Sequence, residues 1–368
     1  MMSNPLPILT LVLVGAGGVP TQAQPLRGPE RMAIREAVAA AVLPALEQQG
    51  REEQTDRQTR TLKVGTDGEL ALGNIAGDIT VTRGGGSDAT VEIVKTARAR
   101  TADEAREMLG LVDVAVSERN GRAEVRAVYP RGDDQGGGNR REGNAPGGHW
   151  RGEHRRNGNI LVAYTVTAPA GTRLSVGSVS GSIKVAGIKG DLSLSSVSGG
   201  VRIADAGRIS GAKSVSGPVE IVDTDVDGGI EAQSVSGNVT LRNIKARRVE
   251  AGSVSGGVTL QDMQCERVEA HSVSGTVEYA GSLARNGRYE LNSHSGSVRL
   301  VVAGSSGFEL EANSFSGSVR SDLPLSGEHR GEAARHAGGR RTLRGVHGDG
   351  SAVVSITTFS GSVVVSKR

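Results

Sequence analysis

The phrase Ser-Val-Ser-Gly recurs in one register down most of the chain, ending at Gly181, Gly199, Gly217, Gly237, Gly256 and Gly275. It continues as Ser-His-Ser-Gly to Gly296, Ser-Phe-Ser-Gly to Gly317 and, after a longer gap, Thr-Phe-Ser-Gly to Gly361. A unit of 18 to 21 residues cannot bury a core alone, so the copies must stack on one another.

Aligning the copies on their glycine shows how a unit folds. Seven and five residues before it lie apolar pairs such as Leu192 and Leu194, Val249 and Ala251, or Leu310 and Ala312; only Ser210 and Ala212 weaken the pattern. Hydroxyl residues stand three and one before, and a β-branched residue stands two after in every copy, from Ile183 to Val363. A period of two with a slip at the glycine predicts two short strands meeting at a corner, with the apolar pairs and both hydroxyl positions facing inward. Six residues after the glycine come Gly187, Asp205, Asp223, Asn243, Asp262 or Gly281, types that tolerate a left-handed turn at a second corner. The expected fold is all-β, a parallel β-helix (β-solenoid) of about ten coils stacked at about 4.8 Å into a rod of roughly 50 Å. It carries a small α/β insertion and an N-terminal helix.

Four segments precede or interrupt the array. Residues 1–23 lack charge, hold a short apolar run from Leu6 to Val14 and end in Thr21-Gln22-Ala23, which reads as a secretory signal cleaved after Ala23. The run is too short to span a bilayer, so no transmembrane segment is expected after cleavage. Residues 24–61 read as a helix over 29–49 followed by a polar linker, Gln48 to Arg60. The solenoid domain occupies 62–368 and starts with a concealed copy of the repeat, Leu70, Leu72, Asn74, Ala76, Gly77, Ile79 and Val81. An insertion at 82–168 follows, with a strand around Val91 and Ile93, a capping box at Thr101 and Glu104 opening a helix to about Leu109, and a hairpin at Asn120-Gly121. Within it 131–159 is a Gly/Arg/Asn-rich loop expected to be disordered, and a second loop insertion spans 322–348. The last strand stops at Arg368 with little to cap the coil, which leaves room for end-to-end self-association.

Composition narrows the function. The 368 residues include 54 glycines, held in register and so structural. Lys and Arg number 43 against 40 Asp and Glu, a net charge of +3 that gives no footprint for nucleic acid. One cysteine, Cys265, excludes an intramolecular disulfide framework and a lipid-modified cysteine beside the signal. No catalytic constellation stands out: Ser210 and Lys213, three apart on a strand, point to opposite faces.

The signal, the degenerate first repeat, the Pro169-Ala170-Gly171 lead-in and the tandem Ser-Val-Ser-Gly coils resemble a bacterial domain-of-unknown-function family labelled "putative adhesin". The resemblance covers roughly residues 60 to 368. It implies single-stranded right-handed β-helices of the cell envelope and supplies no catalytic residues.

Candidate sites lie on the outer surface. The residue between the two hydroxyls forms an outward column, Val179, Val197, Val215, Val235, Val254, Val273, His294, Phe315 and Phe359. An apolar stripe of that length marks an interface, covered either by the N-terminal helix or insertion hairpin or by a partner, with internal cover preferred. Six before the glycine run Glu231, Glu250, Glu269, Glu290 and Glu311, beside Arg248, Arg267 and Arg288, a ladder whose compensation is expected to fail at Glu309 and Glu311. Asp223, Asp225 and Asp227 resemble the first half of a calcium loop, but Ser234 stands where a bidentate Glu is needed. The segment is read as a plain Asx-rich turn and no cofactor is expected, with calcium at these three aspartates as the alternative. The reading is an exported, non-enzymatic adhesin-like binding or scaffold protein of the periplasm, outer-membrane surface or exterior, whose partner is an envelope protein or glycan. Its alternatives are a self-assembling component of an envelope-stress or sensory system and, further off, a polysaccharide-active β-helix enzyme.

Overall fold

Alternating apolar residues bounded by glycine and Asx corners give short strands that pair only with neighbouring copies. The computed structural model describes residues 52–130, 160–332 and 341–368. The signal segment, the helix over 29–49 and the loop 131–159 lie outside the described residues.

The first part of the chain forms β1 (Glu52–Leu62), β2 (Glu69–Ala76), β3 (Ile79–Arg83), β4 (Ala89–Ala99), α1 (Ala102–Leu111), β5 (Asp113–Arg119), β6 (Arg122–Val128) and β7 (Ile160–Ala168). The regular array follows: β8 (Arg173–Ser180), β9 (Ile183–Ala186), β10 (Asp191–Ser196), β11 (Val201–Ala204), β12 (Arg208–Ser214), β13 (Val219–Asp225) and β14 (Gly229–Ser234). Longer strands continue it as β15 (Val239–Ser253), β16 (Val258–Ser272), β17 (Val277–Ser293) and β18 (Val298–Ala303). The chain closes with β19 (Phe308–Ser314), β20 (Val319–Ser321), β21 (Ser326–Glu332), β22 (Arg341–His347), β23 (Ala352–Thr358) and β24 (Val363–Lys367).

The coils stack in parallel, residue on equivalent residue. On one wall Leu174 meets Leu192 and Ile230 meets Val249; on the other Ile183 meets Val201 and Val219 meets Val239. All of these are buried and form one continuous apolar core. The weak third coil is repaired by a bulge that puts Ile209, in place of Ser210, opposite Leu192 and Ile230, and Ser210 hydrogen-bonds to the Leu192 carbonyl.

The corner differs from expectation in one respect: only the first serine of each phrase faces inward. Ser214 is buried, and its Oγ donates to the Gly199 carbonyl and accepts the Gly217 amide, each at 2.9 Å. Ser196, Ser234, Ser253, Ser272 and Ser293 repeat the arrangement, and Thr358 and Ser314 extend it. The second serine, such as Ser198 or Ser216, is exposed. A local turn from serine to glycine reverses the chain there, so strict alternation stops one residue early. Glycine is required because a Cβ on Gly217 would stand 2.2 Å from the Gly199 carbonyl oxygen. At the second corner Asp205, Asp223, Asn243 and Asp262 take positive φ as expected, whereas Gly281 does not; there the register of β16 against β17 shifts.

Coil order departs from sequence order at both ends. The coil β2–β3 lies between β6–β7 and β8–β9, since β2 pairs with both β6 and β8 and β3 with both β7 and β9. Likewise β23–β24, latest in the sequence, lies between β17–β18 and β19–β20. The strand near Arg368 is therefore enclosed and does not form an open end. Beyond β19 the wall continues antiparallel as β22 and then β21, so the described parts of 322–348 are a hairpin on the stack.

Residues 52–60, expected in a linker, are strand. β1 pairs antiparallel with β4 from Glu52↔Ala99 to Leu62↔Ala89, and α1 packs on both. The Thr101 hydroxyl accepts the Glu104 amide, while the Glu104 carboxylate accepts the amide of Arg100, one residue before the cap. Asn120 and Gly121 both take positive φ and turn β5 into β6.

Candidate functional site

The corner turn that buries the first serine pushes the next residue outward, and stacking aligns those residues along the rod. In spatial order they are Val179, Val197, Val215, Val235, Val254, Val273, His294, Phe359 and Phe315, with the two phenylalanines exchanged relative to sequence. Ile75 extends the row by one coil, because Asn74 occupies the place of Ser178. The valines are 44 to 45% exposed, so no described residue covers them. The column is rigid: the amide of Ser216 donates to the Val197 carbonyl and that of Ser236 to the Val215 carbonyl, each at 2.8 Å. At the far end His294, Phe359 and Phe315 stack face to face, with centroids 5.0 and 4.7 Å apart.

Beside the column runs a recessed ledge enclosing about 890 Å³, from Ile75 to Val273. Its floor is made by residues two positions earlier on each strand, including Gly73, Gly177, Ser195, Lys213, Gly252 and His271. The small residues keep the floor low. Arg126 and Ala127 of β6 close one end, and the Arg126 stem lies over Gly73. The insertion hairpin thus borders the column without covering it, contrary to one of the expected covers. Among the described residues no Asp or Glu lines the ledge.

A family model, Toastrack DUF4097, matches residues 68–366. The chain belongs to this family. Solved structures similar to this Toastrack chain include a "Putative lipid binding protein" from Parabacteroides distasonis, 11% identical, covering 85% of this chain and 97% of that one, with a TM-score of 0.39. A "putative adhesin" from Bacteroides fragilis is 12% identical, covers 85% and 97%, and has a TM-score of 0.36. A "putative cell adhesion protein" from Clostridium sporogenes is 10% identical, covers 86% and 100%, and has a TM-score of 0.21. No curated protein matches the chain.

The other outward columns of the Toastrack rod are largely occupied with each other. Glu231, Glu250, Glu269 and Glu290 stack as expected, but Ser355 of the enclosed coil separates Glu290 from Glu311. Arg248 pairs with Glu250 and Glu269, and Lys213 with Glu231. Compensation does not fail at Glu311, which pairs with Arg344 of β22; Glu309 lies opposite Val346.

Asp223, Asp225 and Asp227 all point outward, alternating with buried Thr224 and Val226. Asn243 donates to Asp223 at 2.8 Å and Lys245 to Asp225 at 3.0 Å. Among the described residues no group of three or more His, Cys, Asp or Glu stands close enough to hold a metal.

Three ionisable side chains, Cys265, Tyr279 and Tyr289, meet inside the rod. Tyr289 donates to the Cys265 carbonyl at 2.6 Å, accepts the Ala284 amide at 2.7 Å and meets Tyr279 edge to face. Burial pushes the Tyr289 phenol up to about 12 and the Cys265 thiol up to about 11.

Ile75, Arg126 and the ledge were missed from sequence. Ile75 sits in a copy whose hydroxyl residue is Asn74, and Arg126 lies on an insertion strand whose pairing partner no local pattern reveals. The signal for Ile75 was present in the concealed repeat copy, where Asn74, Ala76 and Gly77 align with Ser178, Ser180 and Gly181 and so place Ile75 at the position of Val179.

Proposed function

We propose that this Toastrack protein is an exported, non-enzymatic binding or scaffold rod of the bacterial cell envelope, whose recognition surface is the column from Ile75 to Phe315. The observation that carries this reading is a regular apolar row that no described residue covers, on a surface otherwise laced with ion pairs. Export is supported by the uncharged, apolar character of residues 1–23. The partner is an envelope component.

The test is cosedimentation of the purified protein with isolated envelope. Val215→Asp combined with Val235→Asp is expected to abolish association while leaving the melting temperature unchanged, since both side chains are on the surface. Unaltered association would remove the column from the function. Fusion of residues 1–23 to an export-dependent reporter checks compartment, and a silent reporter would remove export.

A further inference from the structure

The ledge is one side chain wide. Six steps at about 4.8 Å give it a length of about 29 Å, and two residues of strand give a width of about 7 Å, so its footprint is about 200 Å². A stable protein interface needs about 800 Å² per partner, which rules against a globular occupant confined to the ledge. The occupant must be thin and straight.

Hydrogen-bonding capacity decides its chemistry. The buried serines Ser196, Ser214, Ser234 and Ser253 spend their hydroxyls on corner glycines. Asn74 spends its amide on the Gly77 and Val162 carbonyls. Carbonyls of the column itself are taken by the next coil. On the floor Ser195 donates to the Val176 carbonyl at 3.5 Å, and Lys213, Gln233 and His271 stand as separate polar points between apolar and small positions. A glycan or peptide backbone laid here would lose water contacts along its whole length and regain them at those points, at a cost for every unmatched group. A hydrocarbon chain loses none.

Charge sets its polarity. The ionic groups on the lining are basic, Arg126 at one end and Lys213 near the middle; each meets a carboxylate outside the lining, Glu124 and Glu231, at 2.7 Å, in solvent-exposed pairs weak enough for an incoming anion to share the base. Lys213 can extend its alkyl stem along the floor with its ammonium at the rim. An occupant apolar along its length and anionic at its head matches this distribution.

We infer that the ledge binds a single anionic acyl lipid, with its head at Arg126 and its chain along Val179 to Val273. This rests on reading the column as the recognition surface. A recess of about 890 Å³ receives an individual chain, whereas a face seated in a bilayer would protrude.

The test is titration of the full chain with cis-parinaric acid, a fluorescent fatty acid, and with its methyl ester. Saturable binding is expected, weakened at least about tenfold by Val215→Asp with Val235→Asp. Arg126→Gln should weaken the acid and spare the ester. Absence of saturable binding, equal binding by the Val→Asp variant, or uptake seen only with phosphatidylglycerol vesicles would overturn the inference. If the acid fails to bind while the Val→Asp variant still loses envelope association, the lipid assignment falls and the recognition surface stands. If the acid binds and envelope association is unaffected by the substitutions, the lipid assignment stands and the envelope role falls.

Discussion

Phe315 stacks on Phe359 with centroids 4.7 Å apart and planes 6° from parallel, although a hairpin insertion separates their coils in the sequence. The contact exists because the coil carrying Phe359 lies beneath the one carrying Phe315, and His294 completes the stack from the other side. A double-mutant cycle of Phe315→Ala and Phe359→Ala should therefore show a coupling of about 0.5–1.5 kcal/mol in denaturant unfolding. Additive effects would contradict the coil order.

The two serines of each phrase should behave differently. Ser214→Ala removes the hydroxyl that accepts the Gly217 amide and is expected to cost about 1–3 kcal/mol. Ser216→Ala, at an exposed hydroxyl, should stay within about 0.5 kcal/mol. Gly217→Ala should exceed both, because the added methyl meets the Gly199 carbonyl oxygen of the preceding coil. Thermal melts of the three variants give the ranking directly, and equal losses at Ser214 and Ser216 would contradict the corner geometry.

Alkaline pH should unfold the rod through its phenols. Burial raises Tyr129, Tyr164, Tyr279 and Tyr289 above the ordinary tyrosine value, Tyr289 to about 12. A folded-state pKa above the unfolded one means that the unfolded chain loses its protons first. The stability tied to these groups is thus complete below about pH 10 and falls as pH rises from about 10 toward 12. Phenolate absorbance should lag behind that of free tyrosine and appear together with loss of the β-sheet circular dichroism. Cys265, raised to about 11 by the same burial, should react with a thiol reagent only on unfolding.

Calcium is expected to leave the melting temperature unchanged, because Asn243 and Lys245 already engage Asp223 and Asp225. A saturable calorimetric signal removed by Asp225→Asn would place a cation there after all.

Much of this fold is legible because each coil restates the same constraint. Leu192, Val249 and Val268 predict the inward row, and the β-branched residue after each glycine predicts the second wall. The outward phase of Val179 to Phe359 follows from the same count. Three things were not legible. The second serine turns outward because a local serine-to-glycine hydrogen bond ends the strand, a geometric event that alternation does not encode. β1 reads as polar linker because Glu52 to Arg60 carries no apolar residue, and its place is set by backbone pairing to β4, which hydrophobic alternation does not encode. Coil order is invisible because near-identical copies make several stackings compatible with one pattern, as the direct match of Val298 to Val363 and of Val363 to Val319 shows.

The enclosure of β23–β24 between two earlier coils has a consequence for how the molecule is made. Repeat stacks can zip up as they are synthesised, each new unit adding to the last. Here β19–β20 reaches its final neighbour only after residues 352–367 exist. Until then its most available docking surface is β17–β18, with the same glycine and apolar register on offer. The native order is reached only when the last coil enters between two coils synthesised before it. Maturation of this end is therefore a step of insertion and not of simple addition.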